Sequence, residues 1–466
     1  MHSKIKEDCG VFGIYGHKDA ARLTYLGLYA LQHRGQESSG IAVFNKREIR
    51  CHRGMGLVSD IFNEENLKPL KGDMAIGHVR YSTTGPSIIK NAQPFLVEYS
   101  DGFVAVAHNG NLINTHSLRE RLEKKGTIFQ SSMDSEVIVH LLAREKGNFK
   151  KRLLSALKSI KGAFSLAILT QDQMVAARDP YGFRPLSIGR LDGAYVIASE
   201  SCAFDLIQAE YIREVEPGEV LFINKRGLQS VKPFRKVAPA KCIFEFIYFS
   251  RPDSRMCGSS VYEVRKELGR QLAREHPVDA DLVLPIPDSG NCAALGFAQE
   301  SGIPFEMGII RNHYIGRTFI QPSQKIRNLG VKIKLNPVRE VVKGKKVVIV
   351  EDSIVRGTTS RVRMKTLREA GAREVHMRVS CPPLVSPCFF GIDFPTKEEL
   401  IASSHSIEKI RRFIGLNSLA YLSIERMLEA MPVDKKSFCT ACFTGNYPLR
   451  VERKRAKQRR MGWSRQ

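Results

Sequence analysis

Residues 347–360 read VVIVEDSIVRGTTS, and this stretch decides how the second half of the chain folds. Its β-branched apolar start predicts a buried strand of a parallel sheet, because both faces of such a sheet are covered. Two carboxylates, Glu351 and Asp352, end the strand, and a helix is predicted from Ser360 onward. The small-residue loop at 356–359 therefore lies at a helix N-terminus, where backbone N–H groups and the helix dipole favour a phosphate.

The two carboxylates cannot bind that phosphate, but they suit sugar hydroxyls or Mg²⁺, which prefers hard oxygen ligands. A loop that combines both chemistries fits a ribose 5-phosphate. The ordinary alternative is an acidic strand end followed by a turn that caps a helix.

The whole ordered run resembles the 5-phosphoribosyl 1-pyrophosphate (PRPP) motif of type I phosphoribosyltransferases. The resemblance implies that PRPP is bound by Glu351, Asp352, Ser353, Arg356, Gly357, Thr358 and Thr359. It also implies that the two acidic residues act as Mg²⁺ ligands. Most relatives carry two aspartates here, and Glu351 departs from that pattern.

Length and composition indicate a chain of two or three ordinary globular domains. It has 466 residues, of which 43% are hydrophobic and 26% charged, as is typical of soluble proteins. No apolar run approaches the roughly 18 residues of a membrane helix, and residues 1–8 lack the apolar region of a secretory signal. The sequence therefore predicts a cytoplasmic protein without a membrane partner.

The formal net charge of +24 has two interpretations. A basic surface can bind nucleic acid, or its field can attract polyanionic small substrates. Residues 450–466 contribute eight Lys or Arg against one Glu, which predicts a solvated end. The other basic residues are interspersed with acidic ones and form no patch with aromatic residues, so nucleic acid is not expected as a partner.

Four stretches of the first half carry residues suited to amide chemistry. Cys9 opens an apolar strand interrupted by glycines, and Arg80 stands at the end of another short strand. Asn109 and Gly110 follow a third apolar strand, and Asp134 precedes a helix. The ordinary alternatives are a buried thiol, a surface ion pair, a hairpin turn and a helix cap, respectively.

In this order the stretches resemble the glutaminase domain of class II, or N-terminal nucleophile, amidotransferases. The resemblance extends from Cys9 to about residue 235 and includes DPYGFRPL at 179–186 and EPGE at 216–219. It implies that the Cys9 thiolate attacks the carboxamide of glutamine, giving a glutamyl thioester and ammonia. Because the base is the α-amino group of the same cysteine, residues 1–8 are predicted to be a propeptide that is removed autocatalytically.

The resemblance also implies which residues contact the substrate. Arg80 would bind the α-carboxylate of glutamine and Asp134 its α-ammonium group, while Asn109 and Gly110 would stabilise the tetrahedral oxyanion. An α-amine with a pKa of about 8 is partly neutral at physiological pH, so it can accept the thiol proton without a histidine. Glutaminase activity is therefore expected only after Cys9 becomes the first residue.

The second half alternates helix and strand, which predicts βαβ units and a parallel sheet. The aromatic run within 236–260 is too apolar for a free linker and predicts a packed junction. Ser289 follows a strand at the same sheet edge as the acidic pair; the resemblance places it at a Mg²⁺-ligand position, and a helix cap is the alternative. Residues 314–327 resemble the loop that closes over PRPP and excludes water.

Four cysteines of the second half suggest a metal centre. Cys439 and Cys442 form a C-x-x-C, and Cys242 and Cys388 complete a set of four thiolates. Chemistry alone leaves structural zinc and a [4Fe–4S] cluster open, whereas the family resemblance implies the [4Fe–4S] cluster. The remaining cysteines are expected to be ordinary thiols: Cys51, Cys202, Cys257, Cys292 and Cys381.

Taken together, the two halves resemble the amidophosphoribosyltransferase family in its iron–sulfur branch. The implied fold is an α+β glutaminase, the N-terminal nucleophile αββα sandwich, followed by an α/β type I phosphoribosyltransferase domain with a parallel sheet. The predicted organisation is a propeptide at 1–8, a glutaminase domain at 9–235, a junction at 236–260, a phosphoribosyltransferase domain at 261–449 and a basic tail at 450–466.

The family resemblance implies a reaction in which glutamine, PRPP and water give 5-phosphoribosylamine, pyrophosphate and glutamate, the first committed step of purine synthesis. Ammonia would pass between the two sites, and the enzyme would be a homotetramer inhibited by purine nucleotides such as AMP and GMP. One alternative is a PRPP-binding regulator that uses its positive charge on nucleic acid, and the intact glutaminase set disfavours it. The other is a class II amidotransferase with another acceptor, and residues 351–359 disfavour that.

Overall fold

The computed structural model of the chain describes residues 9–81, 86–312, 335–392, 394 and 396–451. Three predicted segments lie wholly or mostly outside these ranges: the propeptide at 1–8, the PRPP-closing loop at 314–327 and the basic tail at 450–466. Among the described residues, no helix has both the length and the apolar character needed to cross a membrane.

The first half contains two antiparallel sheets. Its strands are β1 (Gly10–Tyr15), β2 (Ser38–Phe44), β3 (Ile49–Met55), β4 (Met74–Arg80), β5 (Phe95–Tyr99), β6 (Gly102–Leu112), β7 (Gly162–Leu169), β8 (Gln173–Arg178), β9 (Ser187–Leu191), β10 (Ala194–Ala198), β11 (Glu210–Glu214), β12 (Val220–Asn224) and β13 (Gly227–Val231). The first sheet has the order β11-β9-β10-β1-β4-β2-β3, and the second has the order β13-β12-β8-β7-β6-β5. The strand that follows Cys9 is therefore central, because β10 and β4 flank it on both sides.

Helices cover the outer faces of both sheets. They are α1 (Ala20–Ala30), α2 (Val58–Ile61), α3 (Glu64–Leu67), α4 (Thr115–Glu123), α5 (Glu136–Arg144), α6 (Phe149–Ser159) and α7 (Cys202–Ile207). One apolar layer includes Phe12 and Leu28, a second includes Val106 and Leu141, and a third, between the sheets, includes Ile76. These three layers separate four layers of secondary structure, which confirms the predicted αββα sandwich.

The second half is built around a parallel sheet. Its strands are β14 (Lys241–Cys242), β15 (Arg255–Met256), β16 (Ser259–Ser260), β17 (Leu282–Pro285), β18 (Ile309–Arg311), β19 (Leu335–Pro337), β20 (Lys346–Glu351), β21 (Glu374–Val379), β22 (Ser418–Tyr421) and β23 (Phe438–Cys439). The order β17-β20-β21-β22 is parallel throughout. Residues 347–350 are fully buried at its centre, which confirms the parallel sheet predicted from this run.

Seven helices of the described second half flank or follow this sheet. They are α8 (Val261–Glu275), α9 (Asn291–Ser301), α10 (Arg339–Val342), α11 (Thr358–Glu369), α12 (Ile407–Ile414), α13 (Ile424–Glu429) and α14 (Ala441–Thr444). The helix predicted after the loop is α11. It begins at Thr358, two residues earlier than expected, because Gly357 takes a left-handed φ of +72° and occupies the N-cap.

The predicted junction is packed, and it contains an unusual helix. Within the aromatic run, residues Glu245–Phe249 form a single π-helical turn. Phe244, Phe246 and Ile247 are at most 2% exposed, so the turn lies inside the protein. Such turns are rare and are found frequently at functional sites.

Candidate active sites

Cys9 lies immediately before β1, at the end of the central strand, and is 6% exposed. Its Sγ donates a hydrogen bond to the carbonyl oxygen of Tyr81 (3.3 Å), and its own carbonyl accepts one from Nε of Arg34 (2.9 Å). The next residue, Gly10, packs closely on β4, because a Cβ at this position would lie only 2.9 Å from Cγ2 of Val79. The predicted nucleophile is thus fixed by contacts on both sides.

Asn109 lies inside β6, so the alternative of a hairpin turn is wrong. Its side chain is fully buried, and Nδ2 donates to Oγ of Ser199 at 3.5 Å. The same hydroxyl accepts a hydrogen bond from the backbone nitrogen of Val11 at 3.0 Å. Ser199, which sequence reasoning missed, therefore ties the strand that follows Cys9 to the predicted oxyanion-binding amide.

Gly110 can only be glycine. Its φ is +142°, and a Cβ at this position would lie 2.1 Å from the carbonyl oxygen of Ala163. The second half of the chain also packs on it, because a Cβ on Gly391 would lie 2.9 Å from the Cα of Gly110. Asn111 adds a hydrogen bond from its Nδ2 to the carbonyl oxygen of Phe389 (2.9 Å).

Asp134 is a buried and ordered carboxylate. It accepts hydrogen bonds from the backbone N–H groups of Leu112 and Ser135, both at 2.8 Å, and lies 3.5 Å from Nδ1 of His108. Burial alone would raise the pKa of Asp134, but His108 and the two N–H groups outweigh burial and hold the pKa below its usual value. The carboxylate therefore stays ionised, as a partner for an ammonium group must.

Arg80 is the last residue of β4 and is 3% exposed. One terminal nitrogen lies 3.7 Å from Oε2 of Glu37 and 3.5 Å from the carbonyl oxygen of Pro86. Glu37 was not singled out in the sequence. The guanidinium of Arg80 is thus buried at a strand end, where it could pair with a bound carboxylate.

A buried network of charges links this site to the second half. Arg34, which holds the Cys9 carbonyl, pairs with Glu245 at 2.8 and 3.0 Å and also with Glu200. Arg184 pairs with the same Glu245 at 2.9 Å. These four charged side chains are at most 1% exposed. Sequence reasoning missed all four roles, although Arg184 stands in the DPYGFRPL motif at 179–186.

A pocket at the carboxyl edge of β17 and β20 contains most of the predicted PRPP ligands. Its lining includes Ser289, Glu351, Asp352, Ser353, Gly357 and Thr359, together with Tyr248 from the π-helical turn. Arg356 and Thr358 belong to the same loop but do not line the pocket. The guanidinium of Arg356 instead pairs with Glu399 at 2.6 Å.

Two serine hydroxyls hold the Asp352 carboxylate of this pocket. Its Oδ1 accepts a hydrogen bond from Oγ of Ser289, and its Oδ2 accepts one from Oγ of Ser353 at 2.6 Å. Ser289 does not cap α9, whose N-cap is Gly290. The hydroxyl of Thr359 is buried without a hydrogen-bond partner among the described residues, as expected of a group that awaits an acceptor.

Glu351 is engaged differently from Asp352. Its Oε1 accepts a hydrogen bond from Arg363 at 2.7 Å, and its Oε2 accepts one from Oγ of Ser360 at 3.2 Å. Both partners belong to α11, and Arg363 was not predicted as a site residue. The first carboxylate of the pair is therefore held by an ion pair before any ligand binds.

The four predicted cluster cysteines lie near one another. Cys242 of β14 stands directly opposite Cys439 of β23, and Cys442 follows in α14. Cys388 and the other two act electrostatically on Cys442, whose pKa burial raises. Burial also raises the pKa of Cys439 to about 12. Thiols in such a setting are neutral unless a metal binds them.

The donor chemistry of the four thiols suits a metal centre. Within the ranges that the structure describes, no three His, Cys, Asp or Glu side chains stand close enough to hold one metal ion. A structural zinc needs four ligands around a single ion, whereas four cysteines bind a [4Fe–4S] cluster that contains several irons. Four thiolates are the donor set of both kinds of centre, so the residues present fit a thiolate-bound metal or cluster by their chemistry. All ten cysteines are free of disulfides.

A buried cysteine at the start of a central strand of an αββα sandwich, together with an acid-lined pocket at the carboxyl edge of a parallel sheet, is typical of a glutamine-dependent phosphoribosyltransferase. A family model described as a glutamine amidotransferase domain matches residues 78–205. Amidophosphoribosyltransferase 1 of Arabidopsis thaliana chloroplasts is 54% identical over 98% of this chain and 81% of its own length, and the Bacillus subtilis enzyme is 50% identical over 96% and 95%. The chain belongs to the amidophosphoribosyltransferase family, which catalyses the first step of purine biosynthesis.

Solved structures agree with this assignment. One, described as the glutamine PRPP amidotransferase from B. subtilis complexed with ADP and GMP, matches with a TM-score of 0.91 at 50% identity, over 96% of this chain and 98% of that one. Another, described as the allosteric regulatory enzyme of purine biosynthesis, matches with a TM-score of 0.92 over 96% of this chain and 97% of that one. The predicted family, fold class and enzymatic function are confirmed. The relatives include chloroplast proteins, so the cytoplasmic location stays a prediction.

Proposed function

We propose that glutamine is hydrolysed at Cys9 and that the ammonia attacks C1 of PRPP bound in the pocket of β17 and β20. The products are glutamate, 5-phosphoribosylamine and pyrophosphate. One observation carries this coupling: the π-helical turn reaches both sites. Glu245 of the turn pairs with Arg34, which holds the Cys9 carbonyl, and Tyr248 of the same turn lines the PRPP pocket.

The glutaminase step begins once residues 1–8 have been removed. The free α-amine of Cys9 accepts the thiol proton, and the thiolate attacks the carboxamide carbon. The amine returns that proton to the nitrogen that leaves as ammonia, and water then hydrolyses the glutamyl thioester to glutamate. The charge that develops on the oxygen is stabilised by Nδ2 of Asn109 and the backbone N–H of Gly110. Arg80 and Asp134 bind the α-carboxylate and α-ammonium groups of glutamine. Their burial and fixed contacts support these roles, because neither side chain must reorganise to bind a zwitterion.

The transferase step takes place in the second pocket. The N-terminus of α11, Gly357 and Thr359 bind phosphate, and the acidic pair accepts hydrogen bonds from ribose hydroxyls. Asp352, Ser289 and Glu351 are the oxygen donors available to Mg²⁺, and the hydrogen bond between Ser289 and Asp352 supports a shared site. When bound, Mg²⁺ would neutralise charge on the departing pyrophosphate.

We further propose a [4Fe–4S] cluster on Cys242, Cys388, Cys439 and Cys442, with a structural role. The four thiols would tie the junction to two later segments of the second half. Anaerobically purified protein is expected to contain about four irons and four acid-labile sulfides per chain, and Cys442→Ser is expected to lose both. The matched control Cys51→Ser, outside the set, should keep them. Stoichiometric zinc in place of iron would contradict the proposal.

Purine nucleotides are proposed as feedback inhibitors, and a homotetramer as the assembled form. The first proposal is supported by the B. subtilis structure described as complexed with ADP and GMP. Measuring the inhibition by AMP and GMP, alone and together, tests the proposed feedback. Sedimentation of the full chain at several concentrations tests the proposed homotetramer.

The coupled reaction is tested by glutamate release from glutamine, measured with and without PRPP and Mg²⁺. PRPP is expected to stimulate release, with one pyrophosphate formed for each glutamate. If PRPP did not change the rate of glutamate release and no pyrophosphate formed, PRPP would not be the acceptor of the ammonia. Pyrophosphate formation with ammonia but never with glutamine would contradict the proposed role of Cys9.

A further inference from the structure

A buried arginine in the PRPP pocket has no role in the mechanism above. Arg363 belongs to α11 and is 8% exposed. It lines the pocket together with Glu351, Asp352 and Ser289. The neighbouring cation Lys365 lies on the outer face of the same helix, with 76% of its side chain exposed. The burial of Arg363 is therefore specific to its position.

The first reason for that burial is the Glu351 carboxylate. Glu351 is 6% exposed, and a carboxylate so far from water is unfavourable unless its charge is compensated. Arg363 compensates it through one terminal nitrogen at 2.7 Å, and Ser360 holds the second oxygen. Two residues of α11 thus fix the direction of this carboxylate.

The ion pair with Glu351 engages one terminal nitrogen of Arg363 and does not involve its Nε. Nε of Arg363 is buried and has no hydrogen-bond partner among the described residues. A guanidinium stays protonated in proteins, so this N–H needs an acceptor, and leaving it without one is unfavourable. The hydroxyl of Thr359, which lines the same pocket, is also buried without a partner. Two orphaned groups in one pocket point to a ligand rich in oxygen.

We propose that Arg363 is a substrate-binding residue of the PRPP site. It orients Glu351 through one terminal nitrogen and offers its Nε–H to an oxygen of the bound ribose 5-phosphate group. Glu351 then acts as a fixed acceptor for ribose hydroxyls, and its paired charge repels the phosphates less than a free carboxylate would. This inference rests on the proposed function of the pocket.

The competing explanation is that the ion pair only anchors α11 to β20. The two explanations differ in what they predict for ligand binding. An anchor affects the free energy of unfolding and leaves the affinity of correctly folded protein unchanged. A substrate-binding residue affects the affinity for the ligand, most clearly when folding is preserved.

The experiment measures the Kd of ribose 5-phosphate by calorimetry and the KM of PRPP, on the full chain with Mg²⁺. For Arg363→Met, both constants are expected to rise about tenfold or more, as for the loss of a charged hydrogen bond. The kcat at saturating PRPP should change less than about threefold, since the contact is made before the chemical step. Lys365→Met, which removes one exposed charge from the same helix, should leave all three values unchanged within about twofold.

Two further variants separate the contacts. Arg363→Lys keeps the charge beside Glu351 but lacks the Nε–H, and a Kd between those of the parent and Arg363→Met is expected with unchanged Tm. The double variant Arg363→Met with Glu351→Gln should bind more weakly than Glu351→Gln alone, because Arg363 also contacts the ligand itself.

Unchanged Kd and KM in both Arg363 variants would overturn the proposal, as would a lowered Tm with unchanged affinity. If Arg363→Met does not fold, Arg363→Lys decides: a Kd weakened about threefold supports the contact, and an unchanged Kd overturns it. A parent protein that binds neither ribose 5-phosphate nor PRPP would instead overturn the proposed function, before any variant is compared.

Discussion

Replacing Cys9 with alanine is expected to abolish glutamine-dependent formation of 5-phosphoribosylamine, by about four orders of magnitude or more. In the proposed mechanism the Cys9 thiolate forms the covalent intermediate, and alanine supplies no nucleophile in its place. The PRPP pocket is built from β17, β20 and α11, so it should stay intact. High concentrations of ammonia should therefore restore product formation in the variant.

The control for this experiment is Cys51→Ala. Cys51 is a half-buried thiol whose pKa burial raises to about 11, and it should keep both glutamine- and ammonia-dependent activity. Pyrophosphate release would be followed with each nitrogen source, together with glutamate release. Retention of glutamine-dependent activity in Cys9→Ala would show that the nucleophile lies elsewhere. Loss of the ammonia reaction in a folded variant would show that Cys9 serves the second site too.

The elements predicted well from the sequence depend on neighbours along the chain. The buried strand β20 and the helix α11 follow from an apolar run and a small-residue loop. The αββα sandwich was predicted through resemblance, because its motifs are local and occur in a fixed order. Arg80 at the end of β4 was predicted for the same reason.

The residues that were missed act through contacts distant in sequence. Glu245 lies 211 residues from Arg34, and Ser199 lies 90 residues from Asn109. No periodic pattern marks such pairs, since each residue alone is an ordinary polar side chain. Arg363 was missed for a different reason: a helical arginine is usually exposed, and its burial beside Glu351 is visible only in the fold.

Asn109 and Gly110 show a further limit. Their sequence is the strongest short signal for a two-residue hairpin turn, yet they lie within a continuous strand. Gly110 is required by the close approach of Ala163 and of Gly391 rather than by a turn. Local propensity could not distinguish the strand from a turn here, because the contacts that decide between them are distant in sequence.

The second large effect is expected from Glu245→Gln, which should lower the free energy of unfolding by about 3–5 kcal/mol. The substitution keeps the shape of the side chain but leaves Arg34 and Arg184 buried without their shared carboxylate. The control Glu429→Gln removes an exposed carboxylate that pairs with Arg426 at 2.8 Å, and its effect should be below about 1 kcal/mol. Denaturant unfolding at neutral pH measures both.

The pH dependence of unfolding separates the loss of charge from a loss of packing. Burial alone would raise the pKa of Glu245, but Arg34 and Arg184 outweigh burial and lower it from 4.5 to about 2. A carboxyl group with a lowered pKa stabilises the folded state above its unfolded pKa, and this stabilisation is lost as the pH falls towards 2. The parent should therefore lose more stability than Glu245→Gln between about pH 5 and 2, so that the two curves converge. A constant difference would indicate packing alone.

The Glu245→Gln variant also tests how PRPP binding in the second half affects glutamate release in the first half. A buried ion pair contributes little net stability compared with well-packed apolar residues, so stability alone does not account for two guanidiniums that share one carboxylate. The network instead fixes the position of the residues at both sites. Glu245 pairs with Arg34, which holds the Cys9 carbonyl, and Tyr248 from the same π-helical turn as Glu245 lines the PRPP pocket. Glu245→Gln is therefore expected to weaken the stimulation of glutamate release by PRPP more than basal release. Equal stimulation in the variant and the parent would show that coupling takes another route.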